Sequence, residues 1–230
     1  MFKPIELDPY KGFYYLKSKG NRDLAGDTIW FDVKADGKLS LILCDGVSSS
    51  ESDIKSSQLA VERLSELAKS KRIMDSLKKD VLITLEDLNQ DLLSKNLSTT
   101  LCFFSGNSDE NLVATSGDSA LLIFDQDRNL LFYNNIYNLK HSSEGIFETP
   151  DGREHMLTNC LGHYSSKYEI STDISFPKSF EIITFSDGIL QYVDSMKSLF
   201  TLIDVMKEQG QDFSFADENM DDLSMIYIKS

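Results

Sequence analysis

Two short apolar runs that stop on the same dipeptide constrain this chain more than any other feature. Leu39–Gly46 reads L-S-L-I-L-C-D-G, and Glu181–Gly188 reads E-I-I-T-F-S-D-G. Their length and composition fit a buried strand better than a helix. The Asp-Gly at each end puts a carboxylate where a sheet meets solvent. A third case, Met220-Asp221-Asp222, runs into Leu223-Ser224-Met225-Ile226-Tyr227-Ile228. Three strand ends presenting carboxylates suggest one cluster of hard oxygen ligands, of the kind that binds Mg²⁺ or Mn²⁺. Asp-Gly after a strand is also an ordinary turn, so the weight rests on what lies between the three.

The intervening chain alternates between two periods. Phe13 to Lys19 reads as a first strand, and Asp27–Val33 and Lys38–Cys44 form a hairpin about Ala35-Asp36-Gly37. From about Asp53 the apolar residues Ile54, Ala60 or Val61, Leu64, Leu67 and Ala68 recur at helical spacing. A second helix begins near Asp75, with Leu77, Val81, Leu85, Leu88 and Leu92 on one stripe. Period two returns at Thr99–Ser105, Asn111–Ser116, Ala120–Phe124 and Asn129–Tyr133. The stretch from about Asn134 to Gly162 reads mostly as surface loop. Tyr168–Ser175 and Glu181–Phe185 are strands, Ile189–Val193 and Ser195–Lys207 a short and a longer helix, and Leu223–Ile228 a closing strand. This order predicts an α+β fold with a mostly antiparallel sheet system.

Composition narrows the function. At 230 residues, with 41% hydrophobic and 26% charged residues, the chain has the make-up of one folded globular domain spanning 1–230. A formal net charge of −14 argues against nucleic-acid or anionic-membrane binding, both of which favour basic patches. Cys44, Cys102 and Cys160 lie among apolar neighbours with no Cys-x-x-Cys pair, as expected of a reducing compartment. The opening M-F-K-P-I-E-L-D-P-Y lacks the apolar centre of a signal peptide, and no window is long enough to span a bilayer. A cytoplasmic protein is the expectation.

The polar positions form an ordered series. Arg22 and Asp27 stand in G-N-R-D-L-A-G-D before a strand, and Asp45-Gly46 follows a strand. Ser57-Gln58-Leu59-Ala60 lies on the first helix, and Ser98-Thr99-Thr100 opens a strand. Gly117-Asp118-Ser119 joins two strands, Asp187-Gly188 ends another, and Asp221-Asp222-Leu223-Ser224 precedes the last. From about Gly20 to Ile228 this resembles the metal-dependent Ser/Thr protein phosphatases, the PPM family or type 2C phosphatases. The resemblance implies two antiparallel β-sheets packed as a sandwich, flanked by helices on the outer faces. It implies a two-metal centre of Mn²⁺ or Mg²⁺, with a possible third ion, that activates water to hydrolyse phosphate monoesters of a phosphorylated protein substrate. By resemblance Asp45 bridges both metals, Gly46 lends its carbonyl, Asp187 and Asp221 complete the ligands, and Asp118 serves the third ion. Asp221 is preferred to Asp222 because the family's Asp-polar-apolar-Ser/Thr pattern starts there. Asp27 holds metal-bound water, and Arg22 grips the phosphate with a bidentate fork.

Four departures stand out. The family commonly has an acidic or amide residue where this chain has Gly26, and often a His or Met and then a Gly pair where it has Val47-Ser48-Ser49. Ala120 replaces the Arg that often follows Gly-Asp-Ser, and Ser98 replaces the Gly before Thr-Thr. The departures at Gly26, Val47 and Ala120 keep open an alternative, a pseudophosphatase that binds a partner without turnover. Leu121–Asn129 has the Asp-x-Asp of haloacid-dehalogenase-type phosphatases, yet strand-like Leu130-Leu131-Phe132 follows, which favours a hairpin turn. His141, His155 and His163 have no metal-ligand spacing to one another.

Overall fold

The computed structural model describes residues 1–20, 22–47, 52–70, 74–134, 160–164, 166–215 and 221–230. The chain runs β1 (Phe2–Leu7), β2 (Tyr10–Lys17), β3 (Thr28–Val33), β4 (Leu39–Cys44), α1 (Ser52–Lys69) and α2 (Met74–Ser94). It continues through β5 (Leu101–Gly106), β6 (Asn111–Ser116), β7 (Ala120–Asp125), β8 (Leu130–Tyr133), β9 (Glu169–Thr172) and β10 (Phe180–Phe185). A 3₁₀ turn at Asp187–Gln191, helix α3 (Met196–Gln209), a second 3₁₀ turn at Gly210–Asp212 and β11 (Leu223–Lys229) complete it.

The strands form two sheets, a six-stranded one in the order β1-β2-β11-β10-β7-β8 and a five-stranded one in the order β3-β4-β5-β6-β9. Every pairing between these strands is antiparallel. Between the sheets lie Leu39, Leu41, Leu43, Phe104, Leu121, Ile123, Ile182, Ile226 and Ile228. The alternate residues of the same strands point outward under helices. Ile42 and Cys44 meet Ala60, Leu64, Val81 and Leu85 of α1 and α2, whereas Leu122, Phe124, Ile183 and Met225 meet Leu199, Phe200 and Ile203 of α3. Because both faces of the central strands are covered, they read as continuous apolar runs rather than as alternating ones. The sandwich with outer helices is therefore the architecture expected, and α1 and α2 carry the stripes expected of them.

The differences lie at the chain's beginning and in the long loop. The first strand expected at Phe13–Lys19 is β2, which starts earlier at Tyr10 and ends at Lys17, and β1 before it was not anticipated. Pro4 disguises β1, since proline cannot donate to a ladder; β1 is an edge strand, where that loss is tolerated. Of the expected surface loop Asn134–Gly162, residues 135–159 lie outside the described residues. Its described ends are buried rather than on the surface: Asn134, Cys160 and Leu161 are at most 3% exposed. His141 and His155 also lie outside the described residues. No helix among the described residues is long and apolar enough to cross a membrane.

Candidate metal centre

The carboxylates are held at one end of the sandwich by backbone ties between strand ends. The Asp45 amide donates to Thr100 Oγ1 (3.0 Å), and its carbonyl accepts from the Thr100 amide (2.8 Å) and Thr99 Oγ1 (2.8 Å). Thr99-Thr100 thus pins the backbone of Asp45. Thr100 Oγ1 also pairs with Ser119 Oγ at 2.6 Å, tying in the Gly117-Asp118-Ser119 turn. On the other sheet the Ser186 amide donates to the Ser224 carbonyl and the Ser224 amide to Ser186 Oγ, both at 3.0 Å. That clip joins the ends of β10 and β11, which carry Asp187 and Asp221. Asp27 precedes β3, whose Thr28 is registered against Cys44, so it lies beside Asp45. On α1, Ser57 Oγ donates to the Gly26 carbonyl (2.5 Å) and meets Thr28 Oγ1 (2.8 Å), holding the loop that carries Asp27.

The electrostatics follow from this gathering. Burial pushes the Asp45 carboxyl well above the usual carboxylate range, and the charges of Asp27, Asp187, Asp221 and Asp118 push it further. Asp118 is pushed up to about 7 by burial and then by Asp187 and Asp221. Asp221 rises to about 6 through burial and Asp187, with the Asp222 amide and Lys19 opposing. Asp27 is driven up to about 7 mainly by burial, against the Ser224 and Ser186 hydroxyls. Both Asp27 oxygens and Asp118 Oδ1 are buried without a hydrogen-bond partner. Mutually repelling carboxylates with orphaned oxygens are what a divalent cation would relieve, so the donor set fits hard cations. Among the described residues, no three His, Cys, Asp or Glu side chains are gathered tightly enough to enclose one ion by themselves. The fit is that of a centre in which water and a backbone carbonyl fill the remaining positions.

Asp222 stands apart from Asp221. It is 4% exposed, and its two oxygens accept from the Lys19 amide (2.6 Å) and the Gly26 amide (2.8 Å). Arg22 does not stand alone above the centre: Nη1 and Nη2 donate to the two oxygens of Asp53 at 2.7 and 2.9 Å, and Asp222 lies 3.7 Å away. Neither Asp53 nor Asp222 was singled out as functional from sequence. Asp53 reads as a helix start, and nothing local marks it as a partner of Arg22.

The rival sites dissolve. Cys44, Cys102 and Cys160 are buried free thiols, and burial raises all three, so none is a ready nucleophile. Asp125 closes a turn, its Oδ1 accepting from the Asp127 and Asn129 amides, both at 2.9 Å.

No protein-family model matches the sequence, and no curated protein does. Solved structures do match it in fold. RsbX, solved in complex with magnesium, is 16% identical at a TM-score of 0.67, over 100% of this chain and 99% of that one. A bacterial serine phosphatase is 14% identical at a TM-score of 0.71, over 94% and 96%. The Mycobacterium tuberculosis serine/threonine phosphatase PstP/Ppp is 13% identical at a TM-score of 0.65, over 96% and 98%. The fold is that of the PPM-type serine/threonine phosphatases.

Proposed function

We propose that this chain, as one unit over residues 1–230, is a metal-dependent phosphatase that hydrolyses phosphoserine and phosphothreonine esters in proteins. What supports the reading is that the charges of Asp187, Asp221 and Asp118 all bear on the buried Asp45 carboxyl at one end of a phosphatase-like sandwich. Asp45, Asp187 and Asp221, with the Gly46 carbonyl, are the groups we assign to a pair of Mn²⁺ or Mg²⁺ ions, and Asp118 to a third. The magnesium in RsbX supports that class of ion. When bound, such ions lower the pKa of a water and offset phosphate charge.

The chain's own residues do the rest. Asp27 lies beside Asp45 with both carboxylate oxygens buried and can accept from a water held there. Arg22 uses two of its five N–H donors on Asp53, which leaves three for phosphate oxygens. Val47 has no proton to give a leaving group, so turnover should be fastest on aryl phosphates, which need little protonation. The net charge of −14 favours neither nucleic acid nor anionic membrane as a partner. The three free buried cysteines support a cytoplasmic, reducing setting.

The test is hydrolysis of p-nitrophenyl phosphate and of a phosphothreonine peptide while Mn²⁺ and Mg²⁺ are varied. Strict cation dependence is expected, with the aryl ester the faster substrate. A protein that binds Mn²⁺ by calorimetry yet leaves both untouched is instead a phosphoprotein-binding module, the reading that Val47 and Ala120 favour.

A further inference from the structure

We infer that Asp53 is the positioning residue for Arg22, supplying from α1 the side chain that position 26 lacks. The inference rests on the reading of Arg22 as the phosphate clamp. Its observation is spatial: a Cβ on residue 26 would stand 2.9 Å from Asp53 Cγ and Oδ2, and 2.9 Å from Asp222 Oδ2. A larger side chain at 26 and the Asp53 carboxylate therefore compete for one volume. The acidic or amide residue customary at 26 in the resembling family is absent, and a carboxylate from another element fills the place.

The Asp53 carboxylate is 1% exposed, so it needs a charged partner. Arg22 provides it through the bidentate fork, and the Ile54 amide adds a bond to Oδ1 at 2.6 Å. Asp222 is the weaker partner: its oxygens already accept from the Lys19 and Gly26 amides, and it meets the Arg22 guanidinium only at 3.7 Å, with no hydrogen bond to it. Arg22 sits in the connection between β2 and β3 with its side chain 26% exposed. An arginine there would otherwise sample many rotamers and lose that freedom on binding phosphate. Asp53 removes that cost beforehand while leaving the Nε–H and one N–H on each terminal nitrogen free to bind. Gly26 thus leaves open the volume in which the Asp53 carboxylate meets Arg22.

The experiment is a double-mutant cycle of Gly26→Glu and Asp53→Ala. It reads inorganic-phosphate affinity by calorimetry with Mn²⁺ present, Tm, and KM and kcat on p-nitrophenyl phosphate. Asp53→Ala should weaken phosphate binding and raise KM by about tenfold, with kcat within about twofold. Gly26→Glu alone should lower Tm by crowding two carboxylates. The double variant should bind phosphate within about threefold of wild type, better than the two single effects add to. Wild-type phosphate affinity in Asp53→Ala, even with a lowered Tm, makes Asp53 merely structural and overturns the inference. So does a double variant no better than the sum of the singles. A wild type that binds phosphate and follows the cycle but turns over nothing overturns the hydrolysis reading alone. A wild type that binds no phosphate overturns both.

Discussion

Gly46 carries no side chain because the backbone of α1 fills the space: a Cβ there would stand 2.1 Å from the Asp53 carbonyl oxygen. Gly188 is in the same position against the Asp222 carbonyl, at 2.2 Å. Neither glycine has a positive φ, so the Asp-Gly pairs serve close approach rather than turn geometry. That packing holds the ends of β4 and β10 close against α1 and the start of β11, with Asp45 and Asp187 near enough for their charges to interact. Asp187→Asn keeps side-chain volume and removes one of those charges. Mn²⁺ affinity should fall by at least about tenfold and turnover with it, while the circular-dichroism spectrum stays that of the wild type. A variant that keeps wild-type Mn²⁺ affinity would remove Asp187 from the ligand set.

At the scale of elements, α1 does two jobs with two faces. Ala60, Leu64 and Ala68 pack on the five-stranded sheet, and the first turns bring Asp53 to Arg22 and Ser57 to Gly26. The apolar face is legible as a periodic stripe, but the polar end is not, since helix starts are commonly acidic. Helix α2 backs α1 through a stripe of buried leucines and Val81, among which Leu85 is 0% exposed. Leu85→Ala leaves a cavity between two helices and a sheet, and should cost about 2–5 kcal/mol in denaturant unfolding. A loss under about 0.5 kcal/mol would mean that α2 is not seated on that core.

For the whole molecule, the clustered carboxylates make stability depend on pH and cation together. Asp27 and Asp118, at about 7, and Asp221, at about 6, all lie above the ordinary carboxylate value. The folded, cation-free protein therefore binds more protons than the unfolded chain at mildly acidic pH. Stability from these groups is full below about pH 4 and is lost as pH rises through about 6–7. The Tm of the cation-free protein should fall between about pH 5 and pH 8. Saturating Mg²⁺ or Mn²⁺ should raise it most at the upper end, where the carboxylates are ionised. A Tm that rises across that range without cation would mean that the carboxylates are not gathered as described.

The amino-acid sequence alone determined the order of strands and helices and the strand-end carboxylates, because these are local properties of neighbouring residues, whereas the sandwich was expected only from the family resemblance. Leu39–Cys44, the stripe from Leu77 to Leu92 and the strand-end positions of Asp45 and Asp187 were legible that way, while the place of Asp118 in the series came from the resemblance. Edge strand β1 was not, because Pro4 is a local signal against a strand that only the sheet's edge makes acceptable. The Arg22–Asp53 pair and the amide bonds to the two oxygens of Asp222 were decided by tertiary structure alone. They join residues 31 positions apart, and 203 or 196 apart. Whether a glycine at 26 is a loss or a vacancy filled from elsewhere depends on which side chain reaches that volume. Only the packing of α1 against the ends of β3 and β4 brings Asp53 there, and no pattern along the chain encodes that approach.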